Sequence, residues 1–250
     1  MEKQVDLGRE ACRLVDAAGQ HDIPLRLLGG LAVSMRCPSS SSAALKREYE
    51  DIDMATDQSG GRKLADFFKD QGFAPDKELN MLNGHRRQIY YHKEIGKVDI
   101  FVGEFEMCHR FSFTGRLNLH PYTIPLADLF LSKAQIVALN RKDLVDLLAL
   151  LADHAVGGEE GETIDGSYIA GLCARDWGLF TTVNMTLDRV DHCLNSGEIV
   201  VDSSMAAVIL ERTQALRKII DQQPKTLAWK TRSVIGTRQR WYLEVEEVER

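Results

Sequence analysis

The sequence predicts an α+β protein: a mixed sheet flanked by helices, followed by a mainly helical C-terminal region. Three observations carry this reading. Short apolar runs that end at turn residues alternate with helix-period segments over the first ~150 residues. Beyond "GGEEGE", Gly157 to Glu162, the helical period dominates. Hydrophobic residues make up 44% of the 250-residue chain and charged residues 27%, enough apolar material for a packed core. The predicted boundaries are 1–156 for the mixed domain and 163–250 for the helical region.

In chain order, Val5, Leu7, Ala11, Cys12, Leu14, Val15 and Ala18 recur at mostly helical spacing and predict an opening amphipathic helix. "IPLRLLGG" reads as a short buried strand that stops at two glycines, and "LAVSMR" as the first turns of a helix starting at Leu31. "RCPSSSSAALKRE" is rich in turn formers and predicts a loop, with the capacity to act as a lid. "YEDIDMAT" is a second strand. In "GGRKLADFFKDQGF", Leu64, Phe67, Phe68 and Phe73 have helical spacing and Gly72 is the stop. "RRQIYYHKEIGKVDIFVG" reads as a hairpin, Gln88–His92 and Val98–Val102 around a turn at Glu94–Lys97. "IPLADLFLSKAQIVALNRKDLVDLLALLADH" reads as two helices broken near Asn140–Asp143, with Asp143 as a candidate N-cap. Helices follow near Gly166–Asp176, Thr182–Ser196 and Ser203–Gln223. "RWYLEVEEVE" is ambiguous between strand and helix.

Composition excludes several classes. The net charge of -6 argues against broad binding to DNA or anionic membranes. Five cysteines with no CxxC argue against a disulfide framework or a structural zinc site, and a reducing cytoplasm is the expected location. "MEKQVDLGRE" is charged where a signal peptide is apolar, and no segment approaches the ~20 apolar residues of a membrane span.

The chemistry concentrates in three short stretches. Asp51 and Asp53 are two apart on a predicted strand and therefore share a face, about 6–7 Å apart along it. Ile52 and Met54 point the other way. Two carboxylates this close repel unless a positive group lies between them. Magnesium (Mg2+), an oxygen-seeking cation held by one or two carboxylates and substrate phosphates, is the simplest solution. Asp99, in "KVDIFVG", is a third acid that an adjacent strand would bring to the same cluster, as metal ligand and as base. Gly29 and Gly30 lack Cβ atoms, so their amides can approach a phosphate closely, and the helix behind them points its positive end at it. Ser34 and Arg36 are candidate phosphate contacts on that helix. His85, His92, His109 and His120 have no metal-ligand spacing. Arg86 and Arg87 read as a solvated face or a phosphate contact. The C-terminal basic residues between Arg217 and Arg240, interleaved with Trp229 and Trp241, read as a packed helix face or a nucleic-acid platform.

"LLGGLAV", "EDIDMA" and "KVDIFV", in that order, resemble the DNA polymerase β-type nucleotidyltransferase superfamily. "ADLFLSKAQIVALNRKDLVDLLAL" is similar to the helical motifs of AbiEii-type nucleotidyltransferases, the toxins of toxin–antitoxin systems. The resemblance spans roughly residues 22–153. It implies magnesium-dependent transfer of a nucleoside monophosphate from a nucleoside triphosphate, with Asp51, Asp53 and Asp99 as metal ligands. By the same resemblance Lys133 contacts the triphosphate, and Asp143 or Asp146 orients it or the acceptor. The acceptor (RNA, a protein hydroxyl or a small molecule) stays open, as does an antitoxin partner. The alternative is a catalytically silent nucleotide-binding or protein-interaction module on the same fold. One departure is the gap of about twenty residues between Gly30 and Asp51, twice the usual length, which the serine-rich loop accounts for.

Overall fold

The computed structural model describes residues 6–158 and 161–244. Val5 and most of the terminal "EVEEVE" lie outside them. The described chain forms two compact units. The first comprises the N-terminal stretch through Arg36, Arg47–Glu106 and Arg110–Pro125. The second comprises Cys37–Lys46, Met107–His109 and everything from Leu126 on. The boundary drawn from composition at 156–163 thus falls inside the second unit.

The first unit is built on a five-stranded sheet. Helix α1 (Leu7–Gly19) opens it, capped by the Asp6 carboxylate accepting from the Arg9 amide at 3.1 Å. Ala11, Leu14, Val15 and Ala18 form its buried stripe, and it packs on β1 (Arg26–Leu28). Helix α2 (Gly29–Arg36) starts at the first glycine, two residues before the expected Leu31, because Gly29 has φ +72° and turns the chain straight out of β1. Then come β2 (Asp51–Thr56), the short α3 (Gln58–Gly61), α4 (Leu64–Asp70), β3 (Ala74–Pro75) and α5 (Lys77–Asn83). The expected hairpin is β4 (Arg87–His92) and β5 (Gly96–Val102), and a smaller one follows, β6 (Glu104–Glu106) and β7 (Arg110–Ser112).

The strand order is β1-β2-β5-β4-β3. Only the central β2–β5 pair is parallel; the other pairs are antiparallel, so the sheet is mixed. Alternation divides its two faces. Ile52, Met54, Val98 and Ile100 are fully buried on one, where Phe68 of α4 stacks on Tyr90 of β4 with ring centroids 4.4 Å apart. Such a pair contributes about 0.5–1.5 kcal/mol beyond its area. The other face carries Asp51 and Asp53.

The second unit is helical. Helices α6 (Leu126–Ala134) and α7 (Arg141–Asp153) are followed by the two-residue parallel pair β8 (Val156–Gly157) and β9 (Ile164–Asp165), then α8 (Gly166–Cys173), α9 (Trp177–Ser196), α10 (Ser203–Gln222) and α11 (Leu227–Ile235). Asn140, not Asp143, is the N-cap of α7; its side chain accepts from the Asp143 amide at 2.9 Å. Helix α7 is the centre of this unit. Residues 143–151 are all buried, surrounded by α6, α9 and α10. The serine-rich stretch is ordered: it forms a short 3-10 turn at Pro38–Ser41, buries Cys37, Ser40 and Leu45, and donates the Ser39 amide to Asp153 at 2.8 Å. Among the described residues no helix is long and apolar enough to cross a membrane.

Candidate functional site

The parallel β2–β5 ladder pairs Asp53 with Asp99 and Asp51 with Lys97. Paired residues share a face, so three acids and one lysine stand on one side of the sheet. Asp99 is 2% exposed, while Asp51 and Asp53 are partly open. Next door on β4, Arg87 reaches diagonally to Asp99 and donates twice, Nε to Oδ1 at 2.8 Å and Nη2 to Oδ2 at 2.6 Å. This is the bidentate fork that a guanidinium makes with a carboxylate. The Arg87 guanidinium also lies over the Phe101 ring, 5.3 Å from the centroid. The Lys97 ammonium lies between two carboxylates, 3.1 Å from Asp51 Oδ2 and 3.6 Å from Asp99 Oδ2.

These contacts explain the titration of both cations. Burial works against the charged form of Lys97, but Asp99, Asp51 and Asp53 outweigh it and hold its pKa above the usual lysine value. Arg87 is held above its ordinary value by its hydrogen bonds to Asp99, against the opposing effect of burial.

The glycine turn completes the face. A Cβ on Gly29 would lie 2.3 Å from Asp53 Oδ2, so the carboxylate rests on bare backbone. A Cβ on Gly30 would lie 1.4 Å from Arg47 Nη2. The Arg47 guanidinium lies over Tyr49, 4.6 Å from the ring centre. The glycines therefore admit side chains of the chain itself, one acidic and one basic. Ser34 and Arg36 are engaged elsewhere in the same unit. Ser34 Oγ donates to the Leu31 carbonyl at 2.8 Å, and Arg36 Nη1 to Thr123 Oγ1 at 3.1 Å.

In the helical unit, Lys133, Asp143 and Asp146 come together. The Lys133 ammonium is 2.9 Å from Asp143 Oδ1 and 3.0 Å from Asp146 Oδ2. The lysine side chain is 12% exposed and that of Asp146 2%. Burial disfavours the ammonium, yet Asp146 and Asp143 overcome this and raise its pKa well above the ordinary value.

Three basic residues complete these sites beyond the expected acids and glycines: Lys97, Arg87 in its pairing with Asp99, and Arg47. Lys97 was within reach of the period-2 rule, since it lies two residues before Asp99 on the same strand. Arg47 carries no such signal, because its place depends on how the loop before β2 folds back over Gly30. Among the described residues no group of three or more His, Cys, Asp or Glu side chains is drawn into metal-ligand geometry. The donor chemistry of the sheet face nevertheless fits a hard divalent cation: its candidate ligands are carboxylate oxygens only, on adjacent strands, and a positive charge already bridges two of them.

No protein-family model and no curated protein matches this chain.

Proposed function

We propose that the protein is a nucleotidyltransferase that moves a nucleoside monophosphate from a nucleoside triphosphate to an acceptor hydroxyl. The observation that supports this most is the β2–β5 register, in which Asp53 lies beside Asp99 with Asp51 on the same face. Asp51, Asp53 and Asp99 would hold magnesium, which would offset charge on the leaving pyrophosphate. Arg87 orients Asp99 by its two hydrogen bonds, and Asp99 is the residue we assign to take the proton of the attacking hydroxyl. Lys97 neutralises Asp51 and Asp99 in the resting site, and its ammonium would have to give way for these carboxylates to hold magnesium. The acceptor is RNA, a protein hydroxyl or a small molecule. The AbiEii-type resemblance extends the proposal to a toxin with an antitoxin partner.

The same two cations favour a second reading, a nucleotide-binding or protein-interaction module without catalysis, because Lys97 and Arg87 already compensate the acids. Incubation with labelled nucleoside triphosphates, magnesium and the three acceptor classes separates the two. Transfer that falls about a hundredfold or more in both Asp53→Ala and Asp99→Ala is the expected result. Transfer unchanged in these variants refutes the site, and nucleotide binding without transfer to any acceptor favours the silent module.

A further inference from the structure

In the helical unit, residues 239–244 lie as a strap across the start of α9. A Cβ on Gly178 would collide with the Trp241 carbonyl oxygen, so the strap rests on bare helix backbone. Arg232 Nη2 donates to the Gln239 carbonyl at 2.8 Å, and the Leu243 amide to the Cys108 carbonyl at 2.9 Å. The side-chain anchor is Trp241, whose Nε1 donates to Thr182 Oγ1 at 3.1 Å. Thr182 Oγ1 lies in turn 2.9 Å from Nε2 of His109, which is 4% exposed. We infer that this strap is a proton-operated latch, closed on neutral His109 and opened when the imidazole is protonated. The inference stands apart from the transferase reading.

The direction of the hydrogen bonds carries it. An indole N–H can only donate, so Thr182 Oγ1 accepts from Trp241. The hydroxyl hydrogen then needs an acceptor of its own, and among the described residues His109 Nε2 is the one within reach. Nε2 is therefore the unprotonated nitrogen, and the relay runs from Trp241 through Thr182 to His109. Protonation turns Nε2 into a donor. Thr182 then faces two donors, and its own hydrogen is left unmet away from water, which is costly. Opening the strap lets water meet these groups. The ring stays in place meanwhile, because the His109 amide donates to Gln135 Oε1 at 2.6 Å.

The surrounding charges set the sign. Asp176, the N-cap of α9, favours the charged ring, but burial outweighs it and holds the His109 pKa below the usual histidine value. The other charged groups on neighbouring elements are paired: Lys133 of α6 with Asp143 and Asp146, and Arg240 with Glu244 on the strap. Beside His109 in the chain are Cys108, a buried thiol, and Arg110, paired with Glu106. Opening returns the ring towards its ordinary pKa of about 6.5, so acid favours the open strap.

The test follows deuterium exchange of the Leu243 amide, expressed as a protection factor so that the intrinsic pH dependence of exchange cancels. In wild type, protection should fall about fivefold or more from pH 7.5 to pH 5.0, with the amides of α7 unchanged. His109→Gln keeps an acceptor for Thr182 but takes up no proton, and should lose no more than about twofold over the same range. A smaller fall in wild type, a larger one in His109→Gln, or a loss shared by α7 overturns the latch. If His109→Gln does not fold, wild-type protein decides. The His109 ring, followed by NMR, should protonate over the pH interval in which Leu243 loses protection. A ring that stays neutral while protection falls, or protonates while protection holds, overturns the latch.

Discussion

The sheet face of the first unit and the helix cluster of the second are built from the same parts to opposite ends. Each sets aspartates against basic side chains. On the sheet, the strand pitch separates Asp51 from Asp53, and the cations between the acids stay accessible: Arg87 is 34% exposed and Lys97 29%. In the helical unit, Asp143 and Asp146 are three apart on α7, hence neighbours on one helix face, and close on a single ammonium. Lys133 is 12% exposed. Exposure decides what each cluster can do. A half-open ion pair can exchange its cation for another at small cost, whereas a closed one resists loss of any member, because the remaining charge is left unpaired away from water.

The largest expected effect tests the closed cluster. Lys133→Met leaves two carboxylates buried without their counter-charge and should lower unfolding free energy by about 3–5 kcal/mol in urea titration. A loss below about 1 kcal/mol would show that the triad opens to water, and the contrast with the sheet face would disappear. Next is Gly29→Ala, which combines a strained positive φ with a collision against Asp53. A cost of about 1–3 kcal/mol is expected, together with a drop in label transfer as the carboxylate is pushed aside. The smallest effect is Lys97→Met, at about 1 kcal/mol or less near neutral pH, since the pair is partly exposed and screened.

The pH dependence sharpens the same comparison. Both lysines have folded-state pKa values raised above their ordinary one. Their stabilisation is therefore complete below the unfolded lysine pKa of about 10.4 and is lost as the pH rises through the folded values. Unfolding titrations from pH 9 to 12 should show an alkaline loss to which buried Tyr90 and Cys173, both pushed up to about 12, also contribute; Lys133→Met should reduce it and Lys97→Met barely alter it.

Local chemistry was legible in the sequence wherever periodicity or a cap carries it. The shared face of Asp51 and Asp53, the Ile52 and Met54 anchors behind them, the Gly72 stop (φ +84°) and the extent of α10 all follow from neighbours within a few residues. Elements without an apolar stripe escaped. Helices α5 and α11 bury no residue, so no hydrophobic period announces them. Conversely, the serine-rich stretch reads as a surface loop because its composition is polar, yet Cys37 and Leu45 within it are fully buried.

The sequence by itself determined that strands and helices mix before a helical C-terminal part, that three acids lie on strands, and that a glycine pair ends the first strand. Only the tertiary structure decided which residue stands opposite which. The pairing of Asp53 with Asp99, the Lys97 bridge, the seat of Arg47 on Gly30 and the enclosure of Lys133 all join residues far apart in the chain or on separate elements. Strand register and helix packing are set by the burial of whole faces, a sum over many side chains that no short motif contains.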